Sequence, residues 1–137
     1  MSVTPDFILI KDAVTNDGDL GSLIGGRIHP VVLPPNPQVV LPAVTYQLAS
    51  QATDFTQEDA QYRWPRWRFR IWSTRYHDLQ PIAVALAALF GDQTRTPFPR
   101  SWIEYPRSNA EGHEEKTNRY WRALDVVAFS PAGALSQ

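Results

Sequence analysis

One run of residues in the middle of the chain carries the strongest structural signal: Tyr62-Arg63-Trp64-Pro65-Arg66-Trp67-Arg68-Phe69-Arg70-Ile71-Trp72-Ser73. Within it, large apolar residues alternate with arginines: Trp67, Phe69 and Ile71 with Arg66, Arg68 and Arg70. This period of two is typical of a β-strand, and a helix would not separate the two residue types. As a strand, the run places neighbouring guanidinium groups about 6.5 to 7 Å apart on one face.

Shorter elements are predicted before this strand. The periodicity indicates a helix that begins at Pro5 and ends near Asn16, a helical turn over 20–24 and a strand over 27–33. A proline-rich loop over 34–37 precedes a second strand over 42–48, in which Val44, Tyr46 and Leu48 share one face. The polar residues 50–61 then predict a connection that could serve as a mobile arm.

A second helix is predicted, with Asp78 or Thr74 as its N-terminal cap and Gly91 at its end. Its apolar stripe consists of Ile82, Leu86, Leu89 and Phe90, and alanines leave little polar surface elsewhere on it. A helix that is apolar all round packs on two sides, so we expect these four residues to contact a neighbouring subunit as well as the sheet. Further along, the sequence predicts strands over 101–105 and 120–129, separated by a charged turn over 109–116.

These elements predict the α+β class: an antiparallel or mixed β-sheet of about four to five strands, with two α-helices packed on one face. At 137 residues the chain is the size of a single domain, expected over 1–129, with a flexible tail over 130–137. With 43% hydrophobic residues, the chain has enough apolar surface to build a core. The formal net charge of -1 excludes a polycation that coats nucleic acid.

Several function classes lack their sequence signatures. There is no cysteine, which excludes disulfides and thiolate metal sites and favours a reducing compartment. No apolar run approaches a membrane span, so we expect a soluble protein that does not bind membranes. The phosphate-binding, dinucleotide-binding, nucleophile-elbow and zinc-protease motifs are also missing. We therefore predict no enzyme, no cofactor and no metal site.

The titratable residues support the same interpretation. Of the three histidines, His113 lies beside three carboxylates in sequence, Glu111, Glu114 and Glu115, and a solvated charged turn explains them better than a metal site does. Asp125 lies in an apolar strand, where an unpaired carboxylate is costly if buried. We interpret Asp125 as the ion-pair partner of a strand arginine rather than a catalytic acid, and Glu104 in the same way.

Residues 63–75 combine five arginines and no acid with Trp64, Trp67, Phe69 and Trp72. One interpretation is a single-stranded nucleic-acid-binding module, in which arginines contact phosphates and aromatic rings stack on bases. The other is a structural strand, in which the aromatic residues form the core face and the arginines the outer face. The alternation favours the structural strand, because stacking requires exposed rings. An arginine row also fits the inner wall of a ring or a joint between subunits.

Taken together, these segments resemble the tail-terminator, or tail-completion (head-tail joining), proteins of long-tailed bacteriophages. The resemblance covers nearly the whole chain. It rests on the first helix leading into Asp19-Leu20-Gly21-Ser22-Leu23-Ile24-Gly25-Gly26-Arg27-Ile28, on Leu41-Pro42-Ala43-Val44-Thr45-Tyr46, on Trp67-Arg68-Phe69-Arg70-Ile71-Trp72-Ser73 before the Ala-rich helix, and on Tyr120-Trp121-Arg122-Ala123-Leu124-Asp125-Val126.

The resemblance implies a small subunit that forms a ring, usually of six copies, on the tail tube. Such rings stop tube polymerisation and present the surface to which the head-completion protein is joined, while genome DNA passes through the centre without sequence readout. The expected partners are therefore further copies of the chain, the tail tube protein, the head-completion protein and DNA. The expected location is the virion, after assembly in the host cytoplasm. Arg66, Arg68 and Arg70 are expected to line the channel or a subunit joint.

Overall fold

Three α-helices and a mixed β-sheet make up the described part of the chain. The structure, a computed structural model, describes residues 5–35, 38–55, 61–105 and 110–131. The helices are α1 (Asp6–Asn16), α2 (Gly18–Ile24) and α3 (Leu79–Gly91), the last preceded by a 3-10 turn at Tyr76–Asp78. The strands are β1 (Ile28–Pro30), β2 (Ala43–Phe55), β3 (Gln61–Ser73), β4 (Arg100–Glu104), β5 (Glu111–Glu114) and β6 (Arg119–Pro131).

The six strands form one sheet in the order β1-β2-β3-β6-β4, with β5 beside β6. β1 is parallel to β2, and the other pairs are antiparallel. β4 and β5 follow one another along the same edge of β6, because they pair with 125–129 and 119–122 of that strand. The two free edges of the sheet are therefore β1 on one side and β4 with β5 on the other.

The helices cover one face of the sheet. Trp67, Phe69 and Ile71 of β3 are buried there, as the alternation predicts, and Phe69 lies 5.3 Å from Phe90 of α3 between ring centroids. Ile10 and Val14 of α1 and Leu20 and Ile24 of α2 belong to the same core. Gly25 and Gly26 end α2 with φ values of 57° and 79°, a backbone conformation that glycine adopts without strain, and the chain then enters β1.

The α+β class and the mixed sheet are confirmed, but the element counts differ from those predicted. The described chain has six strands instead of four or five and three α-helices instead of two. The predicted connection over 50–61 is in large part the paired β2–β3 hairpin, since β2 continues to Phe55 and β3 begins at Gln61. Part of the predicted charged turn over 109–116 is strand β5, and β6 runs two residues beyond its predicted end.

Some predictions fall on residues outside the described ranges. The tip of the predicted arm at 56–60 lies there, as do 36–37 of the proline-rich loop, Asn109 and residues 132–137 of the predicted tail. No helix in the described part of the chain combines the length and the apolar character that a membrane crossing requires.

Candidate assembly surfaces

The sheet face opposite the helices carries the predicted arginine row. We call this surface the open face and define it by Thr45 of β2, by Trp64, Arg66, Arg68, Arg70 and Trp72 of β3, by Trp102 and Glu104 of β4, and by Trp121, Asp125 and Phe129 of β6. The cross-strand register places these side chains on one side, since Arg68 pairs with Asp125 and Trp72 with Trp121. Neighbours in such pairs point to the same face of a sheet.

Asp125 is the centre of an ion-pair network on the open face. The residue is 1% exposed. Its Oδ1 accepts a hydrogen bond from Arg68 Nε at 2.9 Å, and its Oδ2 accepts from Arg68 Nη2 at 3.1 Å and from Arg66 Nη1 at 3.2 Å. Hydrogen bonding to Asp125 raises the pKa of the Arg68 guanidinium. Arg66 also forms an ion pair with Glu104. The prediction that Asp125 and Glu104 pair with strand arginines is therefore confirmed.

Arg70 is held differently, among aromatic rings. Its guanidinium carbon lies 5.5 Å from the ring centroid of Trp121, a cation–π distance. The ring centroids of Trp121 and Trp72 are 6.4 Å apart. Trp72 Nε1 donates a hydrogen bond to Thr45 Oγ1 at 3.1 Å. Gly112 of β5 leaves room for the Trp121 indole, because a Cβ at position 112 would approach that ring to 2.8 Å.

The tryptophans correct one part of the sequence interpretation. Trp67 is a core residue, but Trp64 and Trp72 lie on the open face with the arginines and not on the core face. The ring centroid of Trp64 lies 4.7 Å from that of Phe129 and 5.5 Å from that of Trp102. The signal was present in the sequence, because positions 64 and 72 have the same parity as 66, 68 and 70 and must share their face in a regular strand.

Helix α3 requires a residue-level correction. Ile82, Leu86, Leu89 and Phe90, predicted to contact a neighbouring subunit, are all buried within the single chain. They are core residues, because α3 turns them towards the sheet and a neighbour cannot reach them. The side of α3 that a neighbour can reach presents Pro81, Val84 and Ala88, and Val84 is 56% exposed. Pro81, Val84 and Ala88 line a groove of about 510 Å³ between α2 and α3.

Two groups of exposed apolar residues lie at opposite edges of the sheet. Ile8, Val31 and Val32 lie on the side of α1 and β1. Val84, Trp102 and Tyr105 lie on the side of α3 and β4. The two edges are four strand spacings apart, about 19 Å. The two groups therefore cannot touch within one subunit.

The charged residues around β5 form a structural cluster that the sequence did not predict in detail. Arg122 donates from Nε and Nη2 to Glu111 at 3.2 and 3.1 Å and bonds Gln80 of α3, so it ties β5 to the start of that helix. His113 Nε2 is 2.9 Å from Asn118 Oδ1. Among the described residues, no three histidine or acidic side chains are grouped to hold a metal ion.

The comparisons with known proteins show the fold. No protein-family model matches the sequence, and no curated protein matches it at a significant level. Among solved structures, a chain from the virion of a native gene transfer agent (GTA) particle superposes with a TM-score of 0.66 and 15% sequence identity, over 90% of this chain and 92% of that chain. At this identity the likeness shows that the two chains share a fold along nearly their whole lengths.

Proposed function

We propose that this chain is a structural virion protein, a tail terminator whose ring caps the tail tube, stops its polymerisation and joins tail to head. The observation that carries the proposal is the fold shared with a virion chain over nine-tenths of both proteins. The sequence resemblance to tail terminators supports the proposal separately, because it was drawn from sequence segments and not from the fold comparison. Asp125, the best candidate for a catalytic acid, is already bonded to two arginines, which fits a structural role.

A ring requires two different contact surfaces on each subunit. Head-to-tail contacts close into a ring when each copy joins one of its surfaces to the other surface of the next copy. The two apolar groups, Ile8 with Val31 and Val32 and Val84 with Trp102 and Tyr105, provide such unlike surfaces at opposite sheet edges. A stable joint of this kind buries about 1,600 Å² in total. Six copies are proposed, as in the family that the sequence resembles.

The ring arrangement also assigns a direction to the sheet. When neighbours join edge to edge with the ring axis along the strands, one sheet face points to the axis and the other outward. The helices occupy one face, so the open face with Arg66, Arg68 and Arg70 is proposed to line the channel through which genome DNA passes. The tube protein and the head-completion protein are proposed to bind the two ends of the ring. The proposed location is therefore the virion, at the junction of head and tail, after assembly in the host cytoplasm.

Light scattering and electron microscopy test the proposal. Purified protein is measured by size-exclusion chromatography with light scattering, alone and mixed with tail tube protein. We expect a ring in solution or on the tube, seen as density at one end of each tube, and shorter tubes when the protein is added during polymerisation. A strict monomer in both samples, with unchanged tube lengths, contradicts the proposal.

A second candidate function is a single-stranded nucleic-acid-binding module. The tryptophans of the open face favour it, because Trp64, Trp72, Trp102 and Trp121 share their face with the arginines. The pairing of Arg66 and Arg68 with Asp125 opposes it, because paired guanidinium groups are poor phosphate ligands. Fluorescence anisotropy with a labelled oligonucleotide discriminates: several phosphate contacts give a log-log salt slope of about -0.7 per contact. Absence of binding at about 50 mM salt disproves this candidate.

A further inference from the structure

The β1 edge contains a small cavity that the functions discussed so far do not use. The cavity measures about 130 Å³, and Phe7 of α1, Pro30 and Val31 after β1, Tyr46 and Trp67 line it. Its walls are almost entirely apolar. An apolar cavity of about 150 Å³ in another protein stays dry and binds benzene, so this cavity is close to the size of one six-membered ring.

Two features of the cavity wall are costly for an isolated subunit. Trp67 is 1% exposed, and its Nε1 has no hydrogen-bond partner among the described residues, which costs about 1 to 3 kcal/mol for a buried donor. Val31 has a φ of 65°, an outlier for a β-branched residue, and Val32 N bonds Pro30 O at 2.7 Å in a γ-turn around it. Val31 is nevertheless 52% exposed. The strained turn therefore presents an apolar side chain at the edge of a cavity that is lined in part by Trp67, the residue with the unpaired donor.

The opposite edge of the sheet carries a side chain of matching chemistry. Tyr105 follows β4 and is 60% exposed, and it makes no hydrogen bond or ring contact with the other described residues. Its phenol is a six-membered ring with a hydroxyl oxygen that accepts hydrogen bonds. It also shares a cavity with Ala83 and Val84 of α3, so it lies on the helix side of the sheet. Trp67 and Phe7, which line the cavity near the other edge, lie on the same side.

The strand register places Tyr105 at the height of the cavity. One cross-strand row contains Pro30, Tyr46, Phe69 and Leu124. Glu104 pairs with Asp125, so Tyr105, the next residue of an antiparallel pair, comes level with Leu124 and with that row. In a ring with its axis along the strands, neighbouring copies keep the same height. Tyr105 of one copy then faces the cavity wall at Pro30 of the next copy.

We propose that the cavity between Phe7, Val31, Tyr46 and Trp67 receives the Tyr105 side chain of the adjacent copy, whose hydroxyl oxygen accepts a hydrogen bond from Trp67 Nε1. This inference rests on the proposed ring and names its central contact. The apolar walls take the ring of the tyrosine, and the unused indole N–H obtains its partner. A buried aromatic anchor in a pocket is a typical centre of a protein interface.

Cross-linking tests the contact directly, because the chain contains no cysteine. The variant with Val31→Cys and Tyr105→Cys is treated with a short bis-maleimide under conditions in which the wild-type protein is assembled, alone or on tubes. We expect a ladder of covalent multimers that ends at the ring number. Each single variant gives at most dimers. The control pair Val84→Cys with Tyr105→Cys joins two residues of the same edge and is expected to give no ladder. A ladder from the control pair but not from the test pair overturns the inference.

Two tyrosine variants measure the hydrogen bond. Tyr105→Phe is expected to weaken self-association about 3- to 10-fold, the value of one hydrogen bond, and Tyr105→Ala substantially more. Both leave the melting temperature of the subunit unchanged, since Tyr105 is exposed. Tyr76→Phe removes an exposed hydroxyl that bonds Glu111 within the subunit, and it is expected to assemble like the wild type. Wild-type assembly by Tyr105→Ala overturns the inference.

A measurement on the subunit separates this inference from the ring itself. p-Cresol reproduces the tyrosine side chain, and its addition is expected to shift the Trp67 indole N–H resonance, which the Trp67→Phe spectrum identifies. Toluene, which lacks the hydroxyl, is expected to shift it less. If the protein assembles into rings but p-cresol does not shift the Trp67 resonance of the subunit, the proposed contact is wrong and the proposed function stands. A protein that never assembles refutes the proposed function and, with it, the second copy as occupant of the cavity.

Discussion

Replacing Asp125 with Asn removes the shared counter-ion of two arginines while keeping the shape of the side chain. Asp125 is almost fully buried and accepts three hydrogen bonds from Arg66 and Arg68. The amide of Asn presents one oxygen and one NH2 group in place of two oxygens. At least one arginine N–H group therefore faces an amide N–H group, and that hydrogen bond is lost. Two positive side chains then lie next to each other with Glu104 as the remaining described counter-ion.

The expected loss of stability follows from the burial of the three groups. Breaking a buried ion pair by removing one partner costs about 3 to 5 kcal/mol. The side chains of Arg66 and Arg68 are 34% and 31% exposed, so water replaces part of the lost interaction and the cost lies near 3 kcal/mol. For a chain of this size, 1 kcal/mol corresponds to about 3 to 4 °C in melting temperature. We therefore expect Asp125→Asn to melt about 10 °C below the wild type.

Thermal melts by circular dichroism and urea titrations at pH 7 measure this loss. Glu104→Gln is the matched control, because it removes an exposed partner of Arg66 and should cost less than about 1 kcal/mol. Combining Asp125→Asn with Arg68→Gln should cost less than the sum of the two single changes, since both remove the same bonds. The reasoning is refuted if Asp125→Asn melts within 2 °C of the wild type or if the two costs are additive.

The remaining predictions concern the core, one close contact and one histidine. Phe90→Ala should cost about 3 to 5 kcal/mol in urea titrations, because Phe90 is a core residue and not an interface residue; a cost below about 1 kcal/mol contradicts this. Gly112→Ala should destabilise the fold by about 1 to 3 kcal/mol, because its Cβ displaces the Trp121 ring. Gly21→Ala in α2 should stabilise the fold by about 0.5 to 1 kcal/mol, because a Cβ there meets nothing within 4 Å. Thermal melts in which both variants shift the melting temperature in the same direction contradict this. Burial, and then the charge of Lys11, lower the pKa of His29 below 6.5, so the folded state resists protonating it. The stability of His29→Gln relative to the wild type should therefore increase as the pH falls from 7.5 to 5. If the difference in melting temperature between the variant and the wild type is the same at both pH values, the prediction is wrong.

The sequence predicted best where large side chains alternate along a strand. Trp67, Phe69 and Ile71 have no arrangement other than a strand that buries all three and leaves the arginines out, so both faces of β3 were predictable. The pairing of Asp125 was predictable in kind, because a buried carboxylate needs a cation. The particular partners, Arg66 and Arg68, depend on the register of β3 against β6, which residue types alone do not determine.

The sequence does not predict strands that are held only by backbone hydrogen bonds to a neighbouring strand. Residues 50–55 and 111–114 are mostly polar and lack an apolar period, yet they are strands because a neighbouring strand supplies their hydrogen bonds. An α3 that is apolar all round predicts an interface at Ile82, Leu86, Leu89 and Phe90, but these residues are buried in the subunit. The small alanines of α3 do not show from sequence which side faces the sheet. The cavity at Trp67 joins residues distant in the chain and has no sequence signature.

The contacts of the arginines within the subunit have a consequence for the proposed channel. A bare guanidinium row would exchange its counterions for phosphates and hold the genome in place, an attraction that grows with each contact. Arg66 and Arg68 already share Asp125, and Arg70 lies against Trp121, so in the proposed channel a duplex would meet guanidinium groups that are already engaged within the subunit. If the open face lines the channel as proposed, it would hold a highly charged polymer only weakly, and the strength of the junction would reside in its protein contacts.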